Sequence, residues 1–198
     1  MCGFTGFYLD TSEKVFGDTE NIISNMTGKL EHRGPDDSGI WIDDSGTVGL
    51  AHQRLAVVDL TSAGHQPMQS SSNRFTIVFN GEIYNHQELR KQLDYLNWNG
   101  QSDTETLLAC IELWGLDETL DKINGMFSFS LWDDERKTIY LVRDRMGEKP
   151  LYYGWLGSGA IKTFLFGSDL KAFKGYPEFS PSVNRDSLCL FLRHKCIP

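Results

Sequence analysis

Residues 126–142, MFSFSLWDDERKTIYLV, decide the fold class. In Met126 to Trp132, Phe127, Phe129 and Leu131 alternate with Ser128 and Ser130, the period of two that a strand imposes on its side chains. Asp133-Asp134-Glu135-Arg136-Lys137 makes a polar turn, and Thr138 to Val142 is a second β-branched and aromatic run, so the stretch predicts an antiparallel hairpin. Outward from it, Phe4 to Leu9, Gly39 to Ile42, Phe75 to Phe79, Leu151 to Trp155 and Ile161 to Phe166 also read as short strands. Turns are predicted at Asp44-Ser45-Gly46 and Gly157-Ser158-Gly159. Helices are predicted over Asp18 to Leu30, where Ile22, Ile23, Met26 and Leu30 share a face, and from Asn85, with Glu88 as a capping-box partner above Leu89 and Leu93. A third starts at Ser102-Asp103-Thr104-Glu105, another capping box, and stops at Gly115. Asn184 to Lys195 is helical in pattern as well, with Leu188, Phe191 and Leu192 apolar. Hairpins in the majority, with helices between groups of strands, place the chain in the α+β class with antiparallel sheets.

The length, 198 residues, suits one domain with a core that needs no disulfide or metal. With 19 Lys+Arg against 27 Asp+Glu, the charge of -8 excludes a general nucleic-acid binder. No apolar run approaches the ~18 residues of a membrane span. Met1 to Asp10 lacks the basic stretch of a secretory signal, so a cytoplasmic protein is expected. No GxGxxG or Walker lysine loop is present to cradle a nucleotide. Cys2, Cys110, Cys189 and Cys196 have no metal-site spacing, and reduced thiols are expected; Cys110, among Leu107, Leu108 and Ile111, reads as a packed one.

Cys2 differs, because removal of Met1 before a small second residue makes it the first residue of the chain. Its α-amine, with a reference pKa of about 7.7–8.0, can then take the proton of its own thiol. Other segments are open to two readings. His32-Arg33-Gly34-Pro35-Asp36-Asp37-Ser38-Gly39 is a helix stop and loop, or a site loop. Asn80-Gly81, ending an apolar run, is a hairpin turn, or an oxyanion hole made of the Asn80 amide and the Gly81 N–H. Asp103 is an exposed first-turn acid favoured by the helix dipole, and Arg54 a solvated strand residue, unless both belong to a site.

Taken in order, Cys2-Gly3, HRGPDDSG (32–39), AHQRL (51–55), NGEIYN (80–85), SDTE (102–105), NGMF (124–127) and RDRMGEKPLYY (143–153) resemble the glutaminase domain of glutamine-hydrolysing asparagine synthetases. These are class II, N-terminal-nucleophile amidotransferases, and the likeness runs over essentially the whole chain. It implies a four-layer αββα sandwich of two antiparallel sheets. It implies Cys2 as nucleophile and Asn80 and Gly81 as oxyanion donors. Arg54 would bind the α-carboxylate of L-glutamine, and Asp103 with Glu82 its α-ammonium; His32 and His52 would be structural. No metal or cofactor is expected in this domain, ATP and Mg belonging to a linked synthetase domain that amidates aspartate or another carboxylate. An amidotransferase for amino-sugar or purine synthesis, or a weakly active regulatory module, are the other readings. Residues 2–183 would form the glutaminase domain and 184–198 the start of the connection to the synthetase domain. The resemblance admits a homodimer. Asp169 stands where the family commonly has Glu, a change expected to lie away from the site.

Overall fold

In the computed structural model, which describes residues 2–11, 18–93, 97–157 and 162–195, segments 75–83 and 125–133 pair antiparallel along their whole length. In chain order the first elements are β1 (Gly3–Asp10), α1 (Thr19–Gly28), β2 (Asp37–Ile42), β3 (Val48–Arg54), β4 (Met68–Gln69) and β5 (Phe75–Ile83). There follow α2 (His86–Arg90), α3 (Asp103–Trp114), α4 (Leu116–Lys122) and β6 (Gly125–Asp133). The last are β7 (Thr138–Arg143), β8 (Tyr152–Leu156), β9 (Lys162–Gly167) and α5 (Arg185–His194). The predicted hairpin is β6–β7, in register from Ser128 opposite Arg143 to Asp133 opposite Thr138. Its turn is organised by Asp133, whose Oδ1 accepts from the Glu135 and Arg136 N–H groups and, with Oδ2, from the Arg74 fork.

The strands form two antiparallel sheets, ordered β2-β3-β1-β9-β8 and β4-β5-β6-β7. Three apolar layers fix how they stack. Phe7, Leu9, Ala51 and Leu165 of the first sheet pack with Ile23 and Met26 of α1. Ile77, Phe79, Phe127, Phe129 and Leu131 of the second pack with Leu89, Leu107, Leu108 and Ile111 of α2 and α3. Between the sheets lie Phe4, Val48, Leu50, Val78, Trp132 and Phe166. That sequence of layers is the αββα sandwich that the resemblance implied. Burying each of these side chains contributes about 1.5–3 kcal/mol, so the middle layer alone accounts for much of the attraction between the sheets. Ser128 and Ser130, on the same face as Trp132, are fully buried, because the first sheet covers the face on which a two-layer protein would carry water.

Several local expectations are corrected. β3 is a central strand buried at every residue, and its lack of alternation hid it from a pattern-based reading. α4 was not foreseen. Asn85 does precede α2, but its side chain makes no cap: Oδ1 accepts from Asn124 N–H at 2.9 Å and Nδ2 donates to the Lys122 carbonyl at 2.9 Å, tying the start of α2 to the end of α4. Ser102 does cap α3, accepting from Glu105 N–H at 3.2 Å, but Glu105 turns away to accept from the Asn99 and Gly100 N–H groups and to pair with Arg90. Asn80-Gly81 is no hairpin turn, since β5 continues through it to Ile83. α5 forms as expected, capped by Asn184, with Leu188, Phe191 and Leu192 exposed. Gly46 turns with φ of 72°. Met1, Ser158, Gly159, Ile161 and Cys196 lie outside the described residues. Cys2, Cys110 and Cys189 are free thiols, and burial pushes Cys110 up to about 11. Among the described residues no helix is long and apolar enough to cross a membrane.

Candidate active site

The pairing of β1 with β3 places Gly3 opposite Gln53, so Cys2 enters the sheet beside Arg54 and Leu55. Its Sγ lies 3.4 Å from the Leu55 N–H nitrogen and 3.5 Å from the Leu55 carbonyl oxygen. Burial pushes the thiol above its ordinary pKa, against the Leu55 backbone hydrogen bond, so the resting group is a thiol that needs a base. The Cys2 carbonyl accepts from Arg33 Nη2 at 3.2 Å. Arg33 Nη1 in turn lies 3.9 Å from Asp169, and His32 Nε2 lies 3.5 Å from the same carboxylate oxygen. Asp169 thus reaches the Cys2 backbone only through Arg33 and does not line the cavity beside the thiol.

Arg54 ends β3 as a buried side chain, not a solvated one. Its Nη1 donates to the Thr61 carbonyl at 2.8 Å and Nη2 to the Asp59 carbonyl, so the guanidinium is the post around which residues 55–64 wrap. Two glycines are forced by this packing. A Cβ on Gly64 would sit 2.7 Å from Arg54 Cζ, and one on Gly34, inside the HRGPDDSG segment, 2.7 Å from the Arg54 backbone nitrogen. Asp59 locks the loop from the other side. Its carboxylate accepts from Thr61 N–H and Oγ1 at 2.8 and 2.7 Å and from Gln101 N–H at 2.7 Å. The Thr61 hydroxyl and those backbone donors hold it down at about 2.

The oxyanion-type donors arise from an unfinished sheet. β4 contributes only two residues, Met68 opposite Ile77 and Gln69 opposite Thr76. Past Ile77, the β5 edge turned away from β6 meets no strand among the described residues, and alternate residues present their N–H and C=O there. Phe79 N–H donates to Gln66 Oε1 at 2.7 Å and its carbonyl lies 3.0 Å from His52 Nε2. Ile83 N–H donates to Asp103 Oδ2 at 2.9 Å. Gly81, midway between them, has its N–H on the same edge by strand alternation, and the residue lines the cavity. A side chain is excluded there, because a Cβ would lie 2.6 Å from Phe127 Cα of the neighbouring strand. Beside it the Asn80 side chain is buried, and among the described residues its Nδ2 has no hydrogen-bond partner.

Asp103 is buried at the first turn of α3, not exposed, and desolvation raises its pKa against the Ile83 hydrogen bond. Cys2, Arg54, Asn80, Gly81, Glu82 and Asp103 all line one cavity of about 170 Å³, with the exposed Glu82 at its rim. The structure thus brings together the six residues to which the resemblance gave site roles, while none of residues 32–39 lines the cavity. It adds Gln66, and also Ser102, Thr104, Met126 and Lys149, which the sequence reading quoted within motifs without giving them a site role. Gln66 lies outside all of those motifs and carried no local signal. His52 is buried and neutral, desolvation lowering it to about 4, and His32 is half exposed, so neither supplies a base beside the thiol. A cationic fork, a carboxylate, uncommitted amide donors and a thiol in one small pocket suit a zwitterionic amino acid whose side chain ends in a carbonyl.

The two-sheet sandwich with a cysteine at the head of a central strand defines an Ntn-type amidotransferase fold. It superposes on the glutamine phosphoribosylpyrophosphate amidotransferase from B. subtilis, solved with ADP and GMP, with a TM-score of 0.69 and 20% identity. That match covers 88% of this chain and 43% of the other. The family model described as glutamine amidotransferase domain matches residues 1–198, and the chain belongs to that family. It is 38% identical over 192 residues to asparagine synthetase [glutamine-hydrolyzing] 3 of Bacillus subtilis, covering 95% of this chain and 30% of that one. It is 34% identical to putative asparagine synthetase [glutamine-hydrolyzing] 2 of Methanocaldococcus jannaschii, covering 100% of this chain and 40% of the relative. The chain therefore spans well under half the length of either.

Proposed function

We propose that this domain hydrolyses L-glutamine to glutamate and ammonia, and that the ammonia serves an asparagine-forming synthetase domain of the same polypeptide. The observation that carries the reading is that Asn80, whose buried Nδ2 has no partner among the described residues, lines the cavity that also holds Cys2. An uncommitted buried amide donor costs about 1–3 kcal/mol, and a developing oxyanion beside a nucleophile is what repays it.

Removal of Met1 frees the Cys2 α-amine, which takes the thiol proton. The thiolate attacks the glutamine δ-carbon, and the carbonyl electrons move onto oxygen, where Asn80 Nδ2 and the Gly81 N–H receive them. Collapse of the tetrahedral species breaks the C–N bond; the ammonium returns its proton to the leaving nitrogen, and ammonia departs. Water then adds to the thioester, the amine again accepting a proton, and glutamate leaves with the thiol restored. Arg54 holds the substrate carboxylate in a two-point fork and Asp103, with Glu82, its ammonium, so that free glutamine is selected over a glutaminyl side chain in a protein. No cofactor takes part in these steps; ATP and Mg act in the synthetase domain, whose acceptor is aspartate.

The test compares glutamate and ammonia release by wild type and by Cys2→Ala, after intact-mass measurement has shown that Met1 is gone. Loss of turnover in the variant is expected, and equal rates would refute the assignment. Asparagine formation from aspartate, ATP and glutamine by the full-length polypeptide tests the acceptor; amidation of a different carboxylate would replace it.

A further inference from the structure

Resting on the glutaminase reading, we propose that Gln66 and His52 are positioning residues: they stand in for the strand missing beside Phe79 and so set the aim of the Asn80 amide and the Gly81 N–H. The two buried amides of the site differ in a telling way. Asn80 keeps its Nδ2 uncommitted, whereas Gln66 is engaged at both ends, Oε1 accepting from Phe79 N–H at 2.7 Å and Nε2 donating to Thr104 Oγ1 at 3.2 Å. His52 completes the clamp. Its Nε2 faces a carbonyl, so the proton sits on Nε2, and Nδ1 has no partner among the described residues. Since desolvation keeps the ring neutral, it acts as a fixed donor and not as an acid or base.

The geometry explains why such a clamp matters. The Phe79 carbonyl and the Asn80 N–H share one planar peptide unit, so fixing that carbonyl fixes the plane from which the Asn80 side chain departs. The Phe79 N–H fixes the preceding plane. Without both, β5 past Ile77 is held only on its β6 side as far as the Asp103 bond at Ile83. Gln66 also links this strand to Thr104, next to Asp103 at the head of α3, and so joins the wall that stabilises the transition state to the wall that binds the substrate ammonium. The position of Gln66 is itself set by close packing, for its carbonyl lies against Gly39 where no side chain fits.

The test uses Gln66→Met and His52→Leu, which keep bulk and lose the hydrogen bonds, and His52→Gln, whose amide reaches where Nε2 stood. Three quantities are read: kcat for glutamine hydrolysis, the dissociation constant of glutamate, and inhibition by the aldehyde analogue of glutamine, whose Cys2 adduct carries the tetrahedral oxygen. Losing one oxyanion donor typically lowers kcat by about 10²–10³, so a misaimed pair should lower it by at least about 10-fold. Gln66→Met and His52→Leu are expected to lose that factor in kcat and in aldehyde affinity alike, with glutamate affinity within about 3-fold and His52→Gln restored. Thr104→Val, which removes only one bond of the Gln66 amide, should show a smaller loss of the same kind and serves should His52→Leu fail to fold. Equal losses in glutamate and aldehyde binding, or unchanged kcat in Gln66→Met, would overturn the positioning role. A wild-type domain freed of Met1 that neither hydrolyses glutamine nor binds the aldehyde would instead overturn the glutaminase reading itself.

Discussion

Replacing Asn80 by leucine separates catalysis from stability in opposite directions. The side chain is 1% exposed, and its Nδ2 finds no acceptor among the described residues. An unsatisfied buried donor carries a desolvation penalty of about 1–3 kcal/mol, and leucine has the same branching at Cγ without the polar atoms. Against that gain stands imperfect fit in a packed wall, about 1 kcal/mol for a shape-conserving swap. The net expectation is a domain that is unchanged or more stable by about 1 kcal/mol, which for a chain of this size moves Tm upward by about 2–4 °C. Catalysis should move the other way. Losing the amide removes about 2.7–4 kcal/mol of transition-state stabilisation, or about 10²–10³ in kcat, with a small effect on KM because the substrate's charged ends are read elsewhere. Calorimetry and steady-state glutaminase kinetics on the same Met-free preparation give both numbers. A kcat within about 3-fold of wild type would refute the oxyanion role. A Tm lowered along with kcat would show that the amide has a structural partner.

Other perturbations probe the remaining walls. Arg54→Lys keeps the charge but loses the planar fork, and one charge-assisted hydrogen bond of about 1.5–3 kcal/mol corresponds to a rise of about 10–100-fold in KM for glutamine; an unchanged KM removes Arg54 from the site. Gly81→Ala drives a Cβ against Phe127 Cα at 2.6 Å, on a strand paired at both edges, so stability should drop by about 2 kcal/mol or more and kcat at least 10-fold by the same displacement; a stable, active alanine variant contradicts the register. Asp103 must be ionised to hold an ammonium, and burial raises its pKa, so kcat/KM should fall as pH drops through a value above the ordinary ~3.9 of an aspartate. The empty domain responds with the opposite sign: the raised acid contributes stability that is full below the unfolded pKa and lost as pH rises through the folded one, and Asp103→Asn should abolish that loss in a pH series of melting curves.

What the sequence disclosed and what it hid follow from the range of the interactions. The β6–β7 hairpin was legible because its period and its charged turn are local, and the order of motifs sufficed to collect six of the residues that line the cavity. Asn80-Gly81 misled as a turn, because local chemistry says nothing of β6 lying alongside and carrying β5 straight on. Asn85 looked like a helix cap until its partners 37 and 39 residues away claimed both ends of the amide. β3 hid because both its faces are covered. Gln66 and Asp59 were invisible as site-builders, since each works through a backbone group 13 or 42 residues distant that only the fold brings near. Asp169 gave no sign of its link to Cys2 for the same reason, that link running through Arg33.

The common origin of these features is the shortness of β4. A full-length strand beside β5 would have taken up the N–H groups of Phe79, Gly81 and Ile83 in ordinary ladder bonds. Because β4 begins only at Met68, the first goes to Gln66 and the last to Asp103, and the middle one is left on the edge that lines the cavity. The same interruption opens the space into which residues 55–64 fold around Arg54, so Cys2, Arg54, Asn80 and Gly81 share one cavity. Extending β4 toward Gly81 would therefore complete the sheet at the expense of the site. The short strand thus opens the cavity, while Gly81 serves both the cavity and the close packing of β5 on β6.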